Sequence, residues 1–144
     1  MAATGLGAGY APAAPGTVGT VLGIPLYLAI SLLSQPLHIL AILALTGLSI
    51  GISQRAEALF MEKDSPHIVI DEVVGLQYAL LPAEQNISLI IMGFLLFRFF
   101  DIVKVFPAGL VQDKLPGGYG IVADDVVAGI YGALLLWFLS GFWT

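Results

Sequence analysis

Three charged side chains interrupt an otherwise apolar stretch at residues 94–106. They are Arg98, Asp101 and Lys104, at spacings of i, i+3 and i+6, so a helix would place them on one face. Charges inside a hydrophobic span are energetically costly, and they usually face a bundle interior or an aqueous pocket at a functional site. The alternative is an interfacial anchor in which both cations reach the lipid headgroups. The carboxylate between the two cations favours a functional site, because anchoring alone requires no acid.

Two acidic pairs elsewhere in the chain offer further ligands: Asp71 with Glu72, and Asp124 with Asp125. Carboxylates beside cations are typical of a site for Mg²⁺ and a phosphate, because Mg²⁺ prefers oxygen ligands and completes its shell with water and phosphate oxygens. Neighbours on a helix point about 100° apart, so one of Asp71 and Glu72 could bind metal while the other orients a ligand or acts as a base. Asp124 and Asp125 have a structural alternative, since acids at a helix N-terminus complement its dipole.

The turn at residues 15–20, with the sequence PGTVGT, is a candidate phosphate site. It combines backbone N–H groups with the hydroxyls of Thr17 and Thr20 at the predicted start of an apolar helix, with Thr17 as the N-cap. An ordinary helix start is an equally good interpretation, and the turn lacks the GxxxxGK[ST] pattern of a P-loop. Lys114, in the loop predicted at 108–120, is a further candidate ligand for the substrate phosphate.

The composition indicates an integral membrane protein with a single domain, residues 1–144. Of the 144 residues 58% are hydrophobic and only 10% are charged, whereas soluble domains carry about 25% charged residues. The formal net charge of −5 and the lack of a basic stripe argue against nucleic acid as a partner. The lack of cysteine excludes disulfides, cysteine-based zinc sites and cysteine-dependent phosphatase chemistry.

The elements that must position the charged residues are apolar segments. Residues 1–16, rich in Gly and Pro, predict an irregular loop, and Ser65 and Pro66 predict the N-cap and first residue of a helix. The fold class is therefore an all-α, polytopic membrane helix bundle with about five hydrophobic segments. The third is short, at about 24 Å against a hydrocarbon core of about 30 Å. The segments lie at about 18–33, 37–53 (with a helix continuing to about 60), 66–81, 87–106 and 124–142.

The charge distribution predicts the orientation. If all five segments span, every Lys and Arg lies on or nearest one side, as does every acid except Glu84. The positive-inside rule makes that side cytoplasmic. A third segment that re-entered on the same side would instead split the charged residues between the two faces, so we predict that it spans. The GxxxG pair of Gly47 and Gly51 permits close helix packing and a homodimer.

Four motifs, in this order, resemble the type A phosphatidylglycerophosphatases over nearly the whole chain. They are GLGAG with APGTVGT at residues 5–20, IDEVVG at 70–75, FRFFDIVK with a proline at 97–107, and GGYGI with DDVVAG at 117–129. The resemblance implies a Mg²⁺-dependent phosphatase of the bacterial inner membrane, with its active site facing the cytoplasm. The implied reaction converts phosphatidylglycerophosphate to phosphatidylglycerol in phospholipid biosynthesis.

The family's motifs carry over residue by residue. They imply metal ligands at five acids and phosphate-binding cations at Arg98 and Lys104, and three of the acids would also be catalytic. The five acids are Asp71, Glu72, Asp101, Asp124 and Asp125. Those that would also be catalytic are Asp71, Glu72 and Asp101.

Two questions stay open from the sequence. Direct hydrolysis by water is the expected mechanism, with a covalent aspartyl-phosphate as the alternative. The rival functions are a phosphatase of another lipid phosphate monoester, a small ion- or proton-coupled transporter, and a scaffold whose charges only set topology. Clustering of the charges at one face and not at the midplane argues against the transporter.

Overall fold

The computed structural model describes residues 1–143, with side chains to residue 142, and over this range it contains helices and no strand. The predicted all-α class is confirmed. Short 3-10 segments lie at Gly5–Tyr10 and Leu81–Ala83. The α-helices are α1 (Pro15–Ile30), α2 (Gln35–Phe60), α3 (Ile70–Ala79), α4 (Ile87–Val103), α5 (Ala108–Lys114) and α6 (Gly118–Trp143).

Helix α3 lies at the centre of the bundle, in contact with α1, α2, α4 and α6. Every residue from Val73 to Gln77 is buried, so the apolar surface runs around the helix and not along one stripe. Two polar contacts hold α3 against its neighbours α1 and α2. The Gln77 side-chain amide donates to the Gly23 carbonyl of α1 at 3.0 Å, and the hydroxyls of Tyr78 and Thr46 of α2 lie 2.8 Å apart.

The start of α3 differs from the prediction, because the helix begins at Ile70 and not at Pro66 with Ser65 as its N-cap. The reason is a tertiary contact. The carbonyl of Ala3 accepts from the backbone N–H groups of Val69 and Ile70, at 2.8 and 3.2 Å. Because these donors have no partner within the helix, an acceptor from the N-terminal segment sets the first turn.

Helix α1 also begins earlier than predicted. Pro15 takes the first helical position, Ala14 precedes it in the left-handed conformation (φ 48°), and Thr17 is therefore not the N-cap. A proline at the first position costs no hydrogen bond, because that N–H has no partner in any helix. The helix continues without a break through Pro25 to Ile30.

The connection between α4 and α6 departs furthest from the prediction. Helix α4 ends at Val103, not near residue 106, and Lys104 follows in the left-handed conformation (φ 48°) with its N–H bonded to the Phe100 carbonyl. Lys104 thus lies beyond the helix that carries Arg98. The loop predicted at 108–120 contains the short helix α5.

Helix α6 begins at Gly118, so Asp124 and Asp125 lie in its second turn. Their interpretation as N-terminal caps is therefore wrong. The early start has a packing cause, since Gly118 rests against α2, where a Cβ atom on it would come within 2.8 Å of the Gln54 backbone nitrogen.

Helices α3 and α6 cross backbone to backbone at two glycines. A Cβ on Gly129 would overlap the carbonyl oxygen of Gly75, and a Cβ on Gly75 would come within 2.8 Å of the Asp125 carbonyl oxygen. Asp71 precedes Gly75 by four residues, as Asp125 precedes Gly129, so each acid shares a helix face with its glycine. The crossing therefore brings the two carboxylates together one turn away.

Within residues 1–143, two helices, α2 and α6, are long and apolar enough to cross a membrane. The remaining helices are shorter, and α3, at ten residues, extends only about 15 Å. It is thus shorter than the predicted third segment and too short to cross a hydrocarbon core by itself. Large apolar side chains nevertheless remain exposed on the outer faces of three helices. They include Leu40, Leu43 and Leu48 on α2, Ile91, Leu95 and Phe99 on α4, and Leu134 and Trp137 on α6.

Candidate active site

A cavity of about 230 Å³ opens where the N-termini of α3 and α6 meet the C-terminal end of α4. All five acids singled out in the sequence line it, together with Lys104, whereas Arg98 is not a lining residue and contacts Asp101. Its lining residues are Asp64, Ser65, Pro66, Ile68, Asp71, Glu72, Asp101, Lys104, Asp124 and Asp125.

Three of the carboxylates form a compact group. Asp71, Glu72 and Asp125 each offer an oxygen, and these three oxygens lie within 4.8 Å of one another. In each residue one buried carboxylate oxygen has no hydrogen-bond partner within the described part of the chain. Burying unpaired carboxylates is costly, and a divalent cation with oxygen ligands would remove that cost. The donor set therefore fits a hard metal ion such as Mg²⁺.

The other two acids are paired with cations. Arg98 donates from Nη1 to Asp101 Oδ2, and Lys104 Nζ donates to Asp124 Oδ2 at 2.8 Å. The five acids thus divide into a group of three with free oxygens and two ion pairs at its edge. Each ion pair fixes the direction of a cationic side chain through a charge-assisted hydrogen bond.

Lys104 lies outside the helices, and its pKa reflects two opposing effects. Partial burial lowers the pKa of its ammonium, but the hydrogen bond and the negative charge of Asp124 outweigh burial and raise it above its usual value. The ammonium therefore stays charged at neutral pH, as a ligand for phosphate must.

Two polar residues at the cavity edge were not predicted from the sequence. Asp64, in the loop between α2 and α3, lines the cavity, and burial raises the pKa of its carboxyl above the usual value. Gln112 of α5 donates from Nε2 to Asp64 Oδ2 and accepts from Lys104 Nζ. Asp64 carried one usable signal, its position in the polar loop just before the acidic pair. Gln112 carried none.

The turn at residues 15–20 lies beside the acids, but its hydroxyls do not line the cavity. A Cβ on Gly16 would overlap Glu72 Oε1, so that carboxylate rests against the start of α1. Thr20 is fully buried and donates to the Gly16 carbonyl at 2.7 Å, and Thr17 is half-buried. Lys114 is exposed at the end of α5 and is not a lining residue.

Residues 1–140, which include every residue of this site, match the family described as Phosphatidylglycerophosphatase A. The chain belongs to the phosphatidylglycerophosphatase A family. The Phosphatidylglycerophosphatase A of Haemophilus influenzae is 37% identical over 149 residues, covering 99% of this chain and 88% of the relative. The protein of the same name from Escherichia coli K12 is 31% identical over 147 residues, covering 99% and 84%.

A third relative carries a different substrate in its name. A protein of Bacteroides thetaiotaomicron, provisionally named a phosphatidylinositol-3-phosphatase, is 34% identical over 142 residues, covering 92% of this chain and 87% of the relative. No solved structure matches the chain. Two relatives named Phosphatidylglycerophosphatase A match nearly the full length of this chain. This removes the transporter and the scaffold as rival interpretations.

The contact between α1 and Glu72 gives a first testable prediction for this phosphatidylglycerophosphatase A family member. We expect Gly16→Ala to lower kcat/KM about a hundredfold, because the new methyl group must displace the Glu72 carboxylate from the group of three. Phosphate release from a lipid phosphate monoester in detergent micelles measures the effect.

The matched control is Gly109→Ala, since a Cβ on Gly109 would meet nothing within 4 Å. That variant should keep its activity. A Gly16→Ala protein with unchanged kcat/KM would show that the position of Glu72 does not matter to turnover.

Proposed function

We propose that this protein removes the terminal phosphate of phosphatidylglycerophosphate and releases phosphatidylglycerol, a step in phospholipid biosynthesis. The observation that carries the proposal is the cavity with three clustered carboxylates, each with one buried oxygen that lacks a partner, beside two cation–acid pairs. This arrangement supplies ligands for a metal and for a phosphate in one place. The names of the two phosphatidylglycerophosphatase relatives support the substrate.

The roles we propose follow the division of the acids. Asp71, Glu72 and Asp125 hold a Mg²⁺ ion through the oxygens that lack protein partners. Bound there, Mg²⁺ would neutralise phosphoryl oxygens and polarise phosphorus. Lys104, which lines the cavity, binds the remaining phosphoryl charge, and Arg98 adds positive charge through its pair with Asp101. The same role was predicted for Thr17, Thr20 and Lys114, which do not line the cavity. Asp124, expected as a metal ligand, serves instead to direct Lys104.

A residue of the chain accounts for the proton transfer from the attacking water. Asp101 accepts from Arg98 through one carboxylate oxygen, and we assign its other oxygen the proton of the attacking water. Water oxygen bonds to phosphorus, the bond from phosphorus to the glycerol oxygen breaks, and that oxygen takes a proton from solvent at the cavity mouth. Asp101 then releases its proton to solvent, which restores the carboxylate. This is direct hydrolysis, and the aspartyl-phosphate route is the alternative.

The exposed apolar faces support a place in the bacterial inner membrane. Leucine, isoleucine and aromatic side chains cover the outsides of α2, α4 and α6, a surface that suits lipid and not water. We propose a multi-pass domain over residues 1–144 in which α1, α2, α4 and α6 cross the bilayer. Helix α3 is enclosed among them and, with the residues up to 86 that follow it, carries the chain across to the start of α4. The cavity opens to the cytoplasm, on the side where the Lys and Arg residues lie.

A homodimer through α2 is also proposed. The glycines at 47 and 51 lie on the outer face of α2, and a Cβ on either would meet nothing within 4 Å. The GxxxG pair therefore does not pack within the chain and is free to contact a second copy.

Comparison of three substrates tests the proposed function. Purified protein in detergent micelles should release phosphate from phosphatidylglycerophosphate with Mg²⁺ and lose that activity in EDTA. We expect kcat/KM at least tenfold lower for phosphatidylinositol 3-phosphate and for phosphatidic acid. Preference for phosphatidylinositol 3-phosphate would favour the second candidate function, which the Bacteroides relative's name suggests. No release from any of the three would contradict the proposal.

A further inference from the structure

We propose that Gln112 is a positioning residue, which aims the Lys104 ammonium at the substrate phosphate from outside the cavity. The inference rests on the proposed role of Lys104 as a phosphate ligand. Gln112 lies on the short helix α5, is half-buried, and does not line the cavity itself. Its effect on the reaction must therefore pass through the residues that it contacts.

Lys104 needs positioning because of where it lies in the fold. It follows the last residue of α4, and 39% of its side chain is exposed. A lysine side chain has four flexible carbons, so an exposed ammonium samples many directions unless contacts restrict it. Asp124 supplies one such contact, at 2.8 Å from Nζ. A single contact leaves the ammonium free to swing about the carboxylate.

Gln112 supplies the second contact, with its Oε1 accepting from Lys104 Nζ at 2.6 Å. An ammonium has three donors, and two of them are now used by Asp124 and Gln112. With two of its N–H donors held in place, the direction of the third N–H of the ammonium is determined. Since Lys104 lines the cavity, the third donor is the one left for a phosphoryl oxygen.

The other end of the amide explains why glutamine suits this position. Gln112 Nε2 donates to Asp64 Oδ2, and the Asp64 backbone N–H in turn donates to Glu57 Oε1 of α2 at 3.3 Å. An amide both accepts from a cation and donates to a carboxylate, whereas an acid or a base at the same place could do only one of these. Gln112 thus links α5 to the loop before α3.

The test replaces Gln112 by methionine, which keeps the length of the side chain and removes both hydrogen bonds. We expect KM for phosphatidylglycerophosphate to rise about tenfold while kcat changes less than threefold, the pattern of lost ground-state and transition-state binding. Asp113→Asn, at an exposed position on the same helix, is the matched control and should keep both constants. Thermal unfolding identifies any variant that has lost its fold.

A double-mutant cycle separates positioning from a structural role. Lys104→Met alone should raise KM, and adding Gln112→Met to it should change KM less than twofold further, because the residue that Gln112 acts through is gone. If Gln112→Met raises KM equally in both backgrounds, or has no effect while Lys104→Met does, the inference is wrong and the proposed function stands. If Lys104→Met leaves KM unchanged, the proposed role of Lys104 fails and the inference fails with it.

A polarity swap covers the case in which Gln112→Met does not fold. Gln112→Glu keeps the acceptor for Lys104 but sets a carboxylate against Asp64, so KM should rise. Adding Asp64→Asn restores a donor–acceptor pair and should return KM to within about threefold of the original. A swap that restores nothing contradicts the link through Asp64.

Discussion

Asp125→Asn should lower kcat/KM for phosphatidylglycerophosphate about a thousandfold. Asp125 is the one acid of the group of three that α6 supplies, and its Oδ2 is buried without a partner. An asparagine keeps the volume but loses the charge that a divalent cation requires. Asp113→Asn makes the same chemical change at an exposed position and should keep full activity.

Thermal unfolding gives the same prediction an independent readout. In EDTA, Asp125→Asn should unfold at a temperature equal to or above that of the unmodified protein, because it removes a buried unpaired carboxylate. Added Mg²⁺ should stabilise the unmodified protein more than the variant, since a ligand stabilises the state that binds it. Retention of more than a tenth of the activity at saturating Mg²⁺ would remove Asp125 from the metal site.

Gly129→Ala should both destabilise the protein and lower its activity, because the crossing of α3 and α6 positions the acids. The added methyl group would overlap the Gly75 carbonyl oxygen and come within 2.9 Å of the Tyr78 Cβ. Overpacking of this kind typically costs about 1–3 kcal/mol. The shift of α6 also carries Asp125 away from Asp71, so we expect kcat/KM to fall at least tenfold.

Gly141→Ala is the matched control for that change, on the same helix and with open space around the new methyl group. It should be neutral or slightly stabilising, since alanine favours a helix over glycine by about 1 kcal/mol. Unfolding temperature and phosphate release measure both variants. Equal behaviour of Gly129→Ala and Gly141→Ala would show that the glycine crossing does not set the site.

Five of the six acids that line the cavity could be predicted from the sequence, because charge is conspicuous in an apolar chain. Their types and the order of the motifs identified Asp71, Glu72, Asp101, Asp124 and Asp125 before any fold was known. Which of these acids form the group of three, and which pair with a cation, could not be predicted in the same way. Whether an acid meets a cation depends on where α4 ends and α6 begins, and that depends on distant contacts.

The helix starts show the same limit in particular residues. The local pattern favoured Ser65 and Pro66 as the start of α3, yet the carbonyl of Ala3, more than sixty residues away in the chain, sets the first turn. Likewise, the glycine-rich run before Asp124 reads locally as a loop. In the structure this run forms the first turn of α6, and its first residue, Gly118, packs against α2. Gln112 follows from neither pattern, because its contact with Lys104 forms only when α5 lies beside that lysine.

Binding of Mn²⁺, followed by electron paramagnetic resonance in detergent without substrate, tests the central claim most directly. Asp71, Glu72 and Asp125 hold the metal in this account, so the unmodified protein should bind Mn²⁺ in competition with Mg²⁺. Asp125→Asn should weaken that binding at least tenfold, and Lys104→Met should leave it intact. Equal Mn²⁺ affinity in Asp125→Asn and the unmodified protein, or no binding to the folded unmodified protein, would contradict the account.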